Sequence, residues 1–321
     1  MELLPWEESL KLLLSRLDET HSQRKLIESE LHRTLAEKRG EKRIQEGFKE
    51  FYWEEDYEML WDVNLEMNEW KVQLDGLLVT ERCAIIIESI NTGGKITFNQ
   101  ETGEFYQIDD DGEKAVMEDP TFQMDKHIRF LTAWFKQRKI TLPVQGLIVF
   151  TSENCEFVEK PGAFPICKLY QMHYHLHKLL QAHPQKTALF QLVKIKKLIE
   201  LNTTPYERIP ACTYFQINRE DLLSGVYCIA CNSHSMRRLH RTWFCTNCGG
   251  RDAAAHKLAI EEYFSLVDRQ LTTQQFLHFC GIESRFVAGR MLAEVNLDTL
   301  GANKNRVYLL KQPNEKAKGT F

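Results

Sequence analysis

Two cysteine pairs constrain this chain more than any other feature. Cys228-Ile229-Ala230-Cys231 and Cys245-Thr246-Asn247-Cys248 are separated by thirteen residues. Each CxxC turn can present two thiolates to one ion, and a hairpin between the turns would close a tetrahedron of sulfurs. Gly249-Gly250 behind the second pair permits the tight backbone of such a knuckle. Four thiolates leave no open coordination position, so a zinc ion there is expected to be structural, in a zinc ribbon. The cysteines number nine, which is odd, and the N-terminus, Met1-Glu2-Leu3-Leu4-Pro5-Trp6, lacks a positive region and a small-residue cleavage site. Together these suggest metal binding in a reducing cytoplasm and not a disulfide framework. Cys83, Cys155, Cys167, Cys212 and Cys280 are scattered and read as small buried residues.

Between the pairs lie Arg237, Arg238, His240 and Arg241, followed by Trp243 and Phe244, with no acidic residue from Cys228 to Arg251. Positive charge interleaved with aromatics suits phosphate contact and base stacking. It equally suits a solvated basic hairpin docked on an acidic neighbour. The whole chain, 321 residues with a formal net charge of -4, is no polycation, so any nucleic-acid binding must come from local patches. No apolar run approaches the roughly 18 residues of a membrane span.

The rest of the chain reads as alternating blocks. Leu10, Leu13, Leu14 and Leu17, then Ile27, Leu31 and Leu35, recur at helical spacing, predicting helix over residues 5–37 as an amphipathic packing arm or partner helix. Val72–Val79 reads as a strand. Ala84-Ile85-Ile86-Ile87-Glu88 reads as a central strand buried on both faces. Short strands at 96–99 and 105–108, helix at 121–138 and a buried strand at 146–150 complete an α/β or α+β block. Helix is expected again over 168–200, 253–269 and 272–296. Pro205 and Pro210 mark a linker, and Val307–Leu310 reads as a short strand.

Within the α/β block, Asp75 interrupts one apolar strand and Glu88 ends another. Carboxylates rarely sit among buried residues unless paired or metal-bound. On adjacent strands the two could share one Mg²⁺ or Mn²⁺, which activates water for phosphoryl chemistry. Plain strand-end charges are the alternative.

The residues Gly40-Glu41, Gln73-Leu74-Asp75, Glu88-Ser89-Ile90-Asn91 with Gly94, and Asp119-Pro120-x-x-Gln123 with His127 resemble the nuclease-related domain, NERD, over roughly residues 25–155. The resemblance implies a bacterial protein and a fold similar to the PD-(D/E)xK endonucleases. It makes Asp75 and Glu88 the metal-binding carboxylates, with Glu41 and Gln123 ordering the metal or its water. The chain departs from the family at one point: Ile90 stands where the E-x-K pattern has lysine. Side chains two apart on a strand share a face, so that lysine would lie beside the glutamate. Either a lysine from elsewhere reaches back, Lys95 being nearest in sequence, or the site has lost catalysis and keeps binding or packing.

Three further features remain. Glu101 to Asp119 holds eight carboxylates and reads as a solvated hairpin tip that DNA would avoid. His173, His175 and His177 read as structural or exposed residues on a helix, with no carboxylate near enough in sequence to make a metal site. A helix containing Arg285 and Arg290, a turn containing Lys304 and Arg306 and a final strand loosely resemble winged-helix DNA binders, with those four residues as phosphate contacts. A helical cap on the ribbon is the equal alternative.

The expected organisation is a helical arm (1–37), a NERD-like domain (38–158), a helical connector (159–215), a zinc ribbon (216–252) and a helical, winged-helix-like module (253–321). The fold class is α/β, a restriction-endonuclease-like mixed sheet flanked by helices, with the ribbon and helical module appended. The expected function is DNA binding or processing, as a divalent-metal-dependent nuclease with a degenerate E-x-K motif. The alternative is a non-catalytic nucleic-acid-binding or protein-interaction scaffold, with the N-terminal helix as a docking element.

Overall fold

A computed structural model describes residues 1–99, 101–109, 111–160, 162, 164–184, 186, 192–204, 208–302 and 305–311. The chain divides into two compact units. One is Leu35–Glu207, and the other joins Met1–Thr34 to Arg208–Phe321.

The leucine stripe expected as one helix forms two, α1 (Trp6–Arg16) and α2 (Arg24–Phe48). Asp18 explains the break. Its Oδ1 accepts from the Thr20 amide at 2.9 Å and the Thr20 hydroxyl at 2.6 Å, a local turn that competes with helical backbone. Arg24 then donates to the carbonyls of Leu14 and Leu17 at 3.0 and 3.3 Å, satisfying groups at the end of α1.

The 35–207 unit continues with β1 (Tyr57–Met67), β2 (Trp70–Thr80), β3 (Ala84–Ile90), β4 (Gly94–Phe98), β5 (Phe105–Ile108) and β6 (Lys114–Met117). After these come α3 (Pro120–Gln137), β7 (Val144–Phe150), β8 (Cys155–Phe157), β9 (Ile166–Lys168), α4 (Met172–Gln181) and α5 (Leu192–Asn202). A five-stranded sheet runs β1-β2-β3-β7-β9, with β1, β2 and β3 antiparallel and β3, β7 and β9 parallel. The central β3 is covered on both faces. Ala84 and Ile86 join a core with Phe130, Leu131 and Trp134 of α3, whereas Ile85 and Ile87 join one with Ile44 and Phe48 of α2 and Leu176 of α4. Parallel strands need such double cover, which is why this run is continuously apolar. The expected mixed sheet flanked by helices is therefore present.

The strand β1 went unread in the sequence because its inward face changes midway. Met59 and Trp61 pack toward the α2–α4 layer, and Val63 and Leu65 toward the α3 layer. Asp62, between them, has a left-handed φ of 48°, which reverses the alternation. The acidic run contributes β5 and β6 to a second sheet, ordered β6-β5-β4-β8. Its last residue is no part of a solvated tip: Asp119 is buried and caps α3, accepting from the Thr121 amide at 2.8 Å.

The second unit contains α6 (Ala211–Tyr214), β10 (Val226–Cys228), β11 (Ser233–Leu239), β12 (Thr242–Cys245), β13 (Arg251–Asp252) and α7 (Ala255–Leu266). It ends with β14 (Gln270–Thr272), α8 (Thr273–Cys280), α9 (Arg285–Ala293), β15 (Leu297–Leu300) and β16 (Val307–Leu310). Strands β10 to β13 form an antiparallel ribbon in sequence order, and β14-β16-β15 form a second antiparallel sheet. The helix expected over 272–296 is split, because Gly281 ends α8 in the left-handed conformation and Ser284 caps α9. The order α7-β14-α8-α9-β15-β16 keeps the expected helix, turn and strand and adds two strands that the sequence did not announce.

Leu10, Leu13, Leu17 and Ile27 pack in one core with Val226, Trp243, Ile260, Phe264 and Phe276. The apolar stripe of the N-terminal helices is thus covered by the chain's own ribbon and C-terminal helices. Arg16 is fully buried in this core and paired with buried Glu262, Nε to Oε1 at 2.6 Å and Nη2 to Oε2 at 2.9 Å. Among the described residues, no helix is long and apolar enough to cross a membrane.

Candidate carboxylate and four-cysteine sites

The backbone pairing of β2 with β3 ends at Gly76 and Ile87. Beyond that point Asp75 takes over the role of the missing strand. Its Oδ2 accepts from the Ser89 amide at 2.8 Å and the Ser89 hydroxyl at 2.7 Å. The strands part here, and the carboxylate sits in the opening. On β1, the pairs Trp61–Gly76 and Val63–Leu74 leave Asp62 opposite Asp75.

Glu88 comes next on β3 and is buried. Its Oε1 lies 3.0 Å from Nδ1 of His127, a buried residue of α3. Glu41 reaches the same region from α2 because Gly40 lets the helix approach the strand ends. A side chain at Gly40 would meet Asn91 Cβ and Thr151 Oγ1, each at 3.1 Å.

The three carboxylates feel one another. Burial pushes Glu88 well above the ordinary carboxylate range, and the charges of Asp75 and Glu41 add to the effect. Burial likewise raises Glu41 to about 7, helped by Asp75 and Asp62. Asp75 is raised by burial and held back by its two bonds from Ser89. Burial lowers His127 to about 4, so its ring is neutral near pH 7. Burial thus disfavours the charged form of both Glu88 and His127.

The donor set consists of hard oxygens, as Mg²⁺ and Mn²⁺ prefer. Among the described residues, the four ribbon cysteines are the one group of three or more His, Cys, Asp or Glu whose ligand atoms all lie within 4.8 Å of one another. Glu41, Asp75 and Glu88 are wider apart than that as a trio.

The other expected site residues are dispersed. Gln123 is exposed on α3, one turn before His127. Lys95 is exposed on β4, in the second sheet, paired in register with Glu156. Ile90 packs against the α3-side core. His173 bonds the Gly47 carbonyl at 2.8 Å and the His177 ring packs at a tilt against Phe51 and Trp53, so both do structural work. His127 stood in the family pattern without an assigned role, and Asp62 had no signal beyond its charge.

Residues 36–151 match the nuclease-related domain, NERD. The match begins in α2 just before Gly40 and ends at Thr151 beside it, so the NERD domain encloses Glu41, Asp75, Glu88 and His127. Neither the curated proteins nor the solved structures provide a match to the chain.

In the other unit the four thiolates converge. Cys228 and Cys248 Sγ atoms are 3.7 Å apart, and Cys231 and Cys245 are 3.5 Å apart. Four sulfurs about 2.3 Å from a zinc ion would be separated by about 3.8 Å, so the cluster is compatible with zinc. The Cys248 amide, with that of Asn247, pulls Cys245 down to about 6, favouring the thiolate that a metal needs. Of the basic residues named from the sequence, Arg237, Arg241, Arg285, Arg290 and Arg306 are exposed. Arg238 is not: its Nε and Nη1 are buried without a hydrogen-bond partner, beside the Trp243 ring. Lys304 and Pro205 lie outside the described residues.

Proposed function

We propose that this chain binds nucleic acid and that its NERD domain hydrolyses DNA phosphodiesters with a divalent cation held at Asp75 and Glu88. The observation that carries the reading is Glu88, buried at the end of the central strand, backed by His127 and facing the charges of Asp75 and Glu41. Like charges around a buried carboxylate destabilise the metal-free state, and a cation reverses that.

When bound, Mg²⁺ or Mn²⁺ would supply a polarised water and charge stabilisation at the phosphate. The chain's own groups supply the rest. Asp75 offers Oδ1 while Ser89 holds Oδ2 in place. With Glu88 ionised, His127 donates its Nδ1 proton to Oε1 and fixes the carboxylate's orientation. Glu41, poised near neutrality, can accept a proton from the attacking water. Ile90 supplies no charge, so turnover should be slow, with Lys95 the nearest lysine along the chain. The packing of Ile90 into the core favours a second reading, a domain that binds without cleaving.

Metal binding tests the site. Between about pH 4.5 and 7 the folded, metal-free domain holds a proton on Glu41 that the unfolded chain has lost, so its stability falls as pH rises through that window. A cation must displace such protons. Calorimetric Mn²⁺ affinity should therefore rise from pH 6 to pH 8, approaching tenfold per unit for each proton displaced. Glu88→Gln should lose that binding yet match or exceed the parent in metal-free thermal stability at pH 8, because it removes a buried carboxylate. Equal, pH-independent Mn²⁺ binding by both proteins would place the ion elsewhere.

A further inference from the structure

The ribbon has two unlike faces. Its register aligns Arg237, Phe244 and Arg251 in one row across β11, β12 and β13, and Arg238, Trp243 and Asp252 in the next. Trp243 is buried, so the second row faces inward. Arg237 and Arg251 are exposed, and the Arg251 guanidinium lies 5.7 Å from the centre of the half-buried Phe244 ring. The outward row is therefore cation, aromatic, cation.

This row adjoins α9. Arg237 Nη1 would lie 3.6 Å from a Cβ added at Gly281, in the turn between α8 and α9. From the inward row, Arg238 is within electrostatic reach of Glu294 and Arg290 at the far end of α9. The helix buries Ala288, Met291 and Leu292. That leaves Arg285, Phe286 and Arg290 on its outer side, with Phe286 87% exposed.

We propose that the outer row of the ribbon and the outer side of α9 form one track for single-stranded nucleic acid, an inference that rests on the nucleic-acid reading above. Arginines set along such a track meet successive phosphates, and the rings of Phe244 and Phe286 offer platforms for bases. A duplex turns its base faces inward and gives those rings nothing to stack on. Arg238 lies beside the Trp243 ring and within electrostatic reach of Glu294 and Arg290, which brings the ribbon near the end of α9. Gly289 lies in the middle of this outer side, where an added Cβ would meet nothing within 4 Å. Packing does not require a glycine there, although it costs helix stability relative to alanine. A strand lying close against the helix backbone accounts for it.

The test is fluorescence anisotropy of the full chain with a labelled oligo-dT strand and with a duplex of equal length, across a salt series and without divalent metal. The single strand should bind more tightly. Arg237→Ala and Arg290→Ala should each weaken binding about tenfold and each reduce the salt slope by about 0.7. Phe286→Ala should weaken binding by roughly five- to a hundredfold and leave the slope unchanged, as loss of stacking does. Gly289→Leu should weaken binding while thermal stability stays level or rises, which no folding defect imitates. Lys71→Ala, which removes an exposed lysine of the other unit, should bind like the parent, so that the effects belong to this track and not to positive charge in general. Tighter binding to the duplex, or an Arg237→Ala variant with parental affinity and slope, would overturn the single track while leaving nucleic-acid binding intact. No binding to either probe by the parent would remove both readings.

Discussion

Cys245→Ser protein is expected to lose its zinc and, with it, the fold of the ribbon. The four sulfurs already stand at separations near those of a tetrahedral site, so binding needs little rearrangement. Structural zinc contributes about 10–16 kcal/mol in comparable small sites, more than the whole stability of most domains. Besides the metal, the ribbon is held by the residues it buries in the shared core. Cys228 and Cys245 are themselves buried core residues beside Val226, Met236 and Trp243. Elemental analysis should give one zinc per parental chain and none for Cys245→Ser. Cys83→Ser, which changes a buried thiol of the other unit, should keep its zinc. The variant should also show Trp243 newly accessible to a fluorescence quencher. A Cys245→Ser protein that retains zinc and a buried Trp243 would rule out a structural four-sulfur site.

The second large effect lies at Arg16. Its guanidinium binds both oxygens of Glu262, the carbonyls of Leu223 and Gly225, and sits 3.7 Å over the Phe279 ring. His234 of the ribbon approaches the same carboxylate at 3.3 Å. Burial alone would raise Glu262, but the charge of Arg16 and its hydrogen bonds hold it below the ordinary range. Arg16→Ala leaves that carboxylate buried and uncompensated, which costs about 3–5 kcal/mol. Thermal unfolding followed by zinc release to a coloured chelator reports this unit and should fall by about 10 °C. The double variant Arg16→Met, Glu262→Leu should recover most of the loss, since an apolar pair of similar volume avoids the desolvation penalty. Full stability of Arg16→Ala would show that the buried pair does not hold the N-terminal helix in place.

These two sites were unequally legible in the sequence. The cysteine spacing carries its own geometry, so the cluster could be read directly. Nothing in the spacing of Arg16, His234 and Glu262 announces a shared buried network, because such pairings depend on packing between distant segments. The same contrast holds in the NERD domain. The apolar run of β3 announced a central strand, and Asp75 and Glu88 stood out as charges within apolar strands. β1 was hidden by the left-handed Asp62, which breaks the alternation that a strand reading needs. The bond from His127 to Glu88 links residues 39 positions apart and has no local signature. Asp18 ended a helix that leucine spacing alone would have continued, since one side-chain turn outweighed a periodic stripe.

The proposed action of the NERD carboxylates on DNA is tested by cleavage of supercoiled plasmid. The parental protein with Mg²⁺ or Mn²⁺ at pH 8 should nick the plasmid slowly, and the Glu88→Gln variant, equally folded and equally zinc-loaded, should leave it supercoiled. Equal nicking by both proteins, or none by the parent with its Mn²⁺ site filled, would contradict the claim.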